Sequence, residues 1–319
     1  MFKSFEFPED ATPIDDCSGL IPTWVHHLRD LNRVEAENIL NAQRKYLIRP
    51  VHDPKNWFQV AELRTIHKAM FGNIWKWAGT YRKSITSIGI NPSLIPSQLA
   101  EFCFEVLSWL QYPVELTFLE MAARVHHRLV FIHPFENGNG RFSRLIADRF
   151  LLAFRCPYPI WPNDLNQGCI SRKDYILTLR NADKGNYAPL VDFMMDLGAS
   201  DPTLSELIGN NFYKPYLKEE KGVAMVNALL RRGGNPNDQT SNGDRLLQLA
   251  IKADLNEIAK VLIASGAEID IKDRSGLTPF QVSVVQENKV LADFLLSKGA
   301  KQQPPPGSGH VKYNRLYRE

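Results

Sequence analysis

The sequence predicts an all-α protein: a helical domain broken by one small β-hairpin flap, followed by a short stack of helical repeats. Three observations carry that expectation. Upstream of residue 199, apolar side chains recur at i, i+3 and i+4 in several windows, the spacing of one buried helix face. Downstream, landmarks return every 33 residues, the sign of stacked helical hairpins. Between residues 79 and 96, β-branched residues flanked by Gly and Pro replace the helical rhythm.

Bulk properties frame the reading. The chain has 319 residues, room for about two domains at roughly 150 residues each. Hydrophobic residues at 44% and charged residues at 23% fit a buried core under a soluble surface. A net charge of +3 is too small to argue for nucleic acid. Basic residues still cluster at Arg141, Arg144 and Arg149, and at Arg231 and Arg232; such clusters usually form solvated faces. Cys17, Cys103, Cys156 and Cys169 form no Cys-x-x-Cys pair and no zinc or disulfide pattern. They read as reduced, mostly buried thiols in a cytoplasmic setting. The N-terminus is acidic and lacks an apolar core, so no secretory signal is expected. No run of 18 apolar residues occurs, so no membrane span is expected.

Taken in order, residues 58–71, 97–110, 117–130 and 171–182 read as amphipathic helices. In 117–130, Phe118, Met121, Ala122, Val125 and Leu129 define the apolar face. Two strands alone are marginal as a sheet, so the hairpin at 79–96 reads as a functional flap. Residues 199–217, with Asp201-Pro202, read as a connector carrying one helix. Gly233, Gly266 and Gly299 then lie 33 residues apart, and Gly243 and Gly276, Leu247 and Phe280, and Ala250 and Ser283 keep that period. Thr278-Pro279-Phe280-Gln281 resembles the Thr-Pro-Leu-His opening of an ankyrin repeat. Residues 218–301 thus hold two central repeats, a partial first helix and a last helix near 287–298. So short a stack is barely stable alone, and it is expected to pack on the preceding domain. Residues 302–319 open Gln-Gln-Pro-Pro-Pro-Gly-Ser-Gly and read as a disordered tail.

The chemistry concentrates in His133-Pro134-Phe135-Glu136-Asn137-Gly138-Asn139-Gly140-Arg141-Phe142-Ser143-Arg144. Gly138-Asn139-Gly140 separates two helices. The second helix begins near Arg141 and runs through Leu145, Ile146, Phe150 and Leu151. Its first amides have no intrahelical partner and, with the helix dipole, make an anion site. Arg141 and Arg144 share one face over that site, and their planar forks suit successive phosphates. His133 ends the preceding helix and can accept a proton near neutral pH. Phe135 reads as an apolar plug. Gly-Asn-Gly alone would be only a helix–turn–helix corner; the histidine and spaced arginines carry the functional reading. Zinc on His126, His127 and His133 is disfavoured, because adjacent histidines leave a helix on different faces and no fourth ligand is suitably spaced. The Gly-Lys-Ser/Thr of a P-loop is absent.

These residues resemble the Fic-domain signature, His-x-Phe-x-(Asp/Glu)-Gly-Asn-Gly-Arg-x-x-Arg. Met70-Phe71 through Trp77-Ala78-Gly79, Arg82, the hairpin, and Asn181-Ala182-Asp183-Lys184-Gly185 with Pro189-Leu190 resemble further Fic landmarks. Gly19-Leu20-Ile21-Pro22-Thr23 and Asn38-Ile39-Leu40 resemble the bacterial branch called mobile mystery protein B. The resemblance covers roughly residues 12–197. It implies a helical extension over 1–57, a Fic core over 58–198 and the transfer of AMP from ATP to a protein hydroxyl. On that resemblance His133 deprotonates the target, with Arg144 as the second catalytic residue. The amides of Gly138, Asn139 and Gly140 and the Asn139 side chain hold the α and β phosphates, while Arg141 grips the β and Arg144 the γ phosphate. The flap at Ser87, Ile88 and Gly89 aligns the target by strand addition. Tyr175 and Tyr187 are candidates for the base pocket.

The resemblance also implies Mg²⁺. Here Asn137 stands where most active members have Asp or Glu, and it offers an uncharged amide oxygen. Many Fic proteins carry an inhibitory (Ser/Thr)-x-x-x-Glu-(Gly/Asn) motif. Glu37-Asn38 fits its end, with Arg33 in place of Ser or Thr, which points to Glu37 as an inhibitory residue. The implied partners are a protein target, met through the flap and the ankyrin repeats, and a separate regulator. Transfer from another nucleotide or from a phosphocholine donor, and an inactive Fic/ankyrin scaffold, remain open alternatives. An ankyrin stack joined to a bacterial branch suggests a secreted effector acting in host cytoplasm.

Overall fold

The computed structural model describes residues 19–25, 28–47, 53–161, 172–307 and 309–317. The acidic N-terminus, Cys17 and Cys169 lie outside the described residues. The chain divides into two units: residues up to Leu110 with Phe118–Asp201, and Gln111–Thr117 with Pro202 onward.

In the first unit, α1 spans Leu28–Leu47, α2 Val60–Phe71, α3 Ile95–Gln111, α4 Phe118–Ile132, α5 Asn139–Ala153, α6 Arg172–Ala182 and α7 Ala188–Asp196. The predicted face of α4 is its buried face: Phe118, Met121, Ala122, Val125 and Leu129 are all fully enclosed. They pack chiefly on α5, whose Phe142, Leu145, Ile146 and Phe150 are also buried. Each large apolar side chain so buried contributes about 1.5–3 kcal/mol, which holds the α4–α5 corner as a rigid frame. Arg149 is not on a solvated face. It is buried, ion-pairs with Glu62 of α2 at 3.2 Å and lies 4.1 Å over the Trp57 ring.

The predicted hairpin does not form. Among the described residues of 79–96 there is no strand, only bends before a short 3-10 turn. Side chains replace the cross-strand ladder. The buried Arg82 guanidinium donates to the carbonyls of His133 (2.6 Å), Ser84 (2.8 Å) and Ile90. Glu136 accepts from the Lys83 amide and the Ser84 hydroxyl, each at 3.1 Å. Backbone groups already bonded to side chains have no need of strand partners, so this segment is an irregular loop.

In the second unit, α8 (Leu204–Gly209) and α9 (Lys214–Leu217) occupy the 199–217 stretch, where the sequence suggested one helix. They pack on α10, Glu220–Arg231. Two helix pairs follow, α11 (Leu246–Lys252) with α12 (Asn256–Ala264) and α13 (Pro279–Val285) with α14 (Lys289–Ser297). A Thr278–Gln281 capping box starts α13, satisfying amides a helix N-terminus otherwise leaves open. Gly233, Gly266 and Gly299 all sit at φ +93°, and repeat-to-repeat bonds recur: Asn237 to the Gly266 carbonyl at 3.0 Å, and the Lys301 amide to Asp270 at 2.9 Å.

The tail expectation is also corrected. Residues Gly309–Tyr317 form a helix, α15, against α13. Tyr313 is buried, Tyr317 lies 5.8 Å from the Phe280 ring and bonds Asp293 at 2.8 Å, and Lys312 donates to the Val285 carbonyl at 2.8 Å. α15 covers an apolar face of α13, as capping elements of repeat arrays do. No described helix is long and apolar enough to cross a membrane.

Candidate active site

The site sits at the α4–α5 corner. His133 follows the last residue of α4 at φ +52°, a left-handed turn that costs about 1–2 kcal/mol for a non-glycine residue. Its N–H closes the helix on Leu129 at 3.1 Å. Its Nδ1 lies 3.3 Å from the Val130 carbonyl. A carbonyl only accepts, so Nδ1 carries the proton and Nε2 keeps its lone pair. Burial lowers the ring from 6.5 to about 4, with the nearby Arg82 charge adding to the effect. The imidazole is therefore neutral and basic at Nε2 across the neutral range.

Several elements clamp the turn. Gly138 caps α5 at φ +77°, and a Cβ there would lie 2.4 Å from the Phe71 ring. Gly89 in the flap sits at φ +112°, where a Cβ would lie 2.5 Å from that of His133. His67 of α2 is fully buried, with its ring stacked 3.6 Å from Phe135. Its Nδ1 accepts from the Gly79 amide at 3.0 Å, so its Nε2–H donates to the Asn137 carbonyl at 3.1 Å. Burial holds it neutral, at about 3. Phe135 is the plug the sequence suggested, enclosed by His67 and Phe142.

The groups that the sequence suggests for anion binding lie at the start of α5. The Asn139 side chain does not reach out to a phosphate: it accepts from the Phe135 amide at 3.0 Å and donates to the Phe135 carbonyl at 2.7 Å. Arg141 ion-pairs with Glu35 at 2.7 Å and lies 4.9 Å over the Phe71 ring. Arg144 bonds the Tyr175 hydroxyl, lies 5.7 Å from the Trp161 ring and neighbours Asp148. Asp148 is buried, accepts from Trp161 at 2.8 Å, and is raised to about 8 by that burial.

The structure brings His133, Gly138, Asn139, Gly140, Arg141 and Arg144 together, with the flap residue Gly89 against His133. Ser87 and Ile88 are exposed beside it. It does not bring Glu37 there, for that side chain is exposed. Glu35 is the carboxylate that reaches the site, bonded also to Trp75 at 2.7 Å. Asn38 instead closes the end of α2, donating to the Met70 carbonyl at 2.8 Å. The missed signal was spacing: Leu31, Glu35, Asn38, Ala42 and Tyr46 form the buried stripe of α1, and Glu37 lies off it. His67 had a similar signal, lying among Leu63, Ile66, Met70 and Phe71. Tyr175 is buried behind Arg144, with its hydroxyl 2.8 Å from His126. Tyr187 meets His127 at 3.3 Å under the Arg124 guanidinium, 4.2 Å from its ring.

A buried neutral histidine, an exposed loop and two arginines near a helix N-terminus thus meet at one corner. Comparison with known proteins finds two family models that each match part of the chain. The Fic/DOC family model matches residues 57–151, and that for ankyrin repeats (3 copies) matches residues 218–304. Residues 57–151 thus form a Fic domain, followed by ankyrin repeats. "Protein adenylyltransferase Fic" of Aedes aegypti is 29% identical over 160 residues, 49% of this chain and 31% of that protein. The Culex quinquefasciatus protein of the same name is 30% identical over 162 residues, again 49% and 31%. "Protein adenylyltransferase fic-1" of Caenorhabditis elegans is 28% identical over 138 residues, 42% and 26%. The chain therefore matches under a third of the length of these curated relatives. Among solved structures, the Bartonella tribocorum BepC protein with bound AMPPNP aligns with TM-score 0.43 and 19% identity, covering 55% of this chain and 89% of that one. Fic-1 of C. elegans aligns with TM-score 0.41 and 23% identity, covering 56% and 51%.

Proposed function

We propose that this protein is a protein adenylyltransferase that moves AMP from ATP to a hydroxyl of a target protein. The observation that carries the reading is His133: a neutral imidazole with Nδ1–H spent on Val130, beside the amides and arginines of α5. Nε2 takes the proton of a target Ser, Thr or Tyr hydroxyl. The oxygen attacks the α phosphorus, the bond to the β-phosphate oxygen breaks, and pyrophosphate leaves. The open N–H groups at the start of α5 and the guanidinium groups of Arg141 and Arg144 stabilise the charge that develops on the phosphates. The names of the curated relatives support AMP as the group moved.

The flap positions the target. Arg82 and Glu136 anchor the loop to the turn, leaving the exposed backbone of Ser87, Ile88 and Gly89 to pair with an extended segment. The ankyrin repeats select the target by the same reading. Deleting residues 218–319 tests this: a folded first unit that labels without target choice supports it, and a first unit that no longer folds makes the stack a buttress. The buried thiol of Cys103 supports a reducing, cytoplasmic setting. Glu35 holds Arg141 in the state seen here, so an incoming phosphate must displace a carboxylate. Glu35, rather than Glu37, is then the residue whose removal raises activity.

Mg²⁺ would meet Asn137 as its protein ligand. Its Oδ1 already accepts from the Gly138 amide at 2.6 Å, and no group of three or more His, Cys, Asp or Glu able to hold a metal occurs among the described residues. The residues present do not fit a protein-held Mg²⁺, which favours charged oxygens in near-octahedral array.

The test is incubation of the full chain and a cell lysate with α-phosphate-labelled ATP, CTP, GTP or UTP, or with CDP-choline labelled in its choline. Label is expected from ATP, more strongly with Glu35→Gly, and not with His133→Ala. Label from a different donor would change the group moved, and none from any donor would leave an inactive Fic/ankyrin scaffold.

A further inference from the structure

We propose that Asn137 is a hydrogen-bond donor to the phosphates and that this site binds its nucleoside triphosphate without a divalent cation. The inference rests on the nucleotide reading above and deepens it. Two contacts fix the backbone at this position: the Asn137 carbonyl accepts from His67 at 3.1 Å, and Gly138 is held at φ +77° above the Phe71 ring. The side chain then folds so that Oδ1 accepts from the Gly138 amide at 2.6 Å. That assignment follows from the chemistry, because an N–H can face only the amide oxygen. What remains is the Nδ2 group, two N–H donors that find no partner among the described residues. A half-buried amide that spends its acceptor and keeps its donors is suited to an anion's oxygens and unsuited to a cation.

The neighbouring carboxylates are spent as well. Glu136, beside Asn137, accepts from the Lys83 amide and the Ser84 hydroxyl in the flap. Glu35 accepts from Trp75 and pairs with Arg141. Asp148 is buried and accepts from Trp161. Drawing a metal to Asn137 would cost the Gly138 hydrogen bond and return only an uncharged oxygen ligand. The charge that a metal would neutralise is met by Arg141, Arg144 and the N-terminus of α5, and the Asn137 Nδ2 group adds donors where a carboxylate would repel.

The experiment is calorimetric titration of the full chain with ATP, once in EDTA and once in millimolar Mg²⁺. Wild type is expected to hold ATP with dissociation constants within about threefold of each other, under 1 kcal/mol. Asn137→Asp keeps the acceptor for the Gly138 amide and replaces the donors with charge. It is expected to lose about tenfold or more in EDTA and to recover in Mg²⁺. Running both titrations on Glu35→Gly as well covers a site blocked by the Glu35–Arg141 pair. Wild type and Glu35→Gly binding ATP about tenfold more tightly with Mg²⁺ would overturn the proposal. Asn137→Asp behaving as wild type in both buffers would overturn the role of Asn137. If neither wild type nor Glu35→Gly binds ATP in either buffer, the nucleotide reading falls first and takes this inference with it.

Discussion

The corner at His133 and the loops of the repeat stack meet the same backbone demand in opposite ways. Both turn the chain with left-handed residues: His133 and Gly138 in the first unit, Gly233, Gly266 and Gly299 in the second. In the stack, a Cβ at any of those three glycines would meet nothing within 4 Å. The loops there are held by bonds repeated from one repeat to the next, such as Asn237 to Gly266. At the corner, a Cβ on Gly138 would strike Phe71. Glu35, His67, Arg82 and the flap reach the turn from remote stretches of chain. A repeat loop needs only to turn. The transfer proposed for this corner needs base, donors and target edge held to a fraction of an ångström, and the elements that clamp the turn come from distant parts of the sequence.

The largest expected effect separates chemistry from folding. His133→Ala should lower the proposed AMP transfer by about 10²–10⁴-fold, while thermal melting stays near wild type because the ring bears only one weak local bond. Melting lowered along with activity would make His133 part of the clamp rather than the base. Next, Gly138→Ala should cost about 2–5 kcal/mol, adding left-handed strain to overpacking against Phe71. All six tryptophans lie within the first unit, so denaturation followed by their fluorescence reads this loss directly. Gly266→Ala, with the same backbone demand and open space, should cost only about 1–2 kcal/mol. It should move far-UV circular dichroism more than tryptophan fluorescence. Equal costs at the two glycines would erase the difference between the corner and the repeat loops.

The smallest effect is in pH. The His133 ring is lowered from 6.5 to about 4 in the folded protein, so the base form persists as acid is added. The acid limb of kcat/KM should therefore fall near 4 rather than 6.5. A limb near 6.5 would mean that the imbedded ring of the resting corner is solvated when it works.

Much of this was readable from local pattern. The α4 stripe, the glycine turn before α5 and the 33-residue period depend on side chains close together in the chain, where helical spacing decides which residues share a face. Three expectations failed for a common reason. The 79–96 segment has strand-like composition, but Arg82 and Glu136 take up its backbone and hydroxyl groups. The Pro-rich segment after 301 looks disordered, but α15 packs against α13. Glu37 fits a motif, yet the buried stripe of α1 carries Glu35 inward instead. In each case a partner distant along the chain takes part: Glu136 for the 79–96 segment, α13 for α15 and Arg141 for Glu35.

By itself, then, the sequence determined a helical Fic-like domain joined to ankyrin repeats, with a histidine, a glycine turn and two arginines at one corner, because helix periodicity and turn chemistry act over a few residues. Only the tertiary structure decided which carboxylate meets Arg141, which way the Asn137 amide faces, and how His67 and Phe71 lock the turn. Those outcomes depend on which remote donors and acceptors are buried together, and burial obliges each to find a partner.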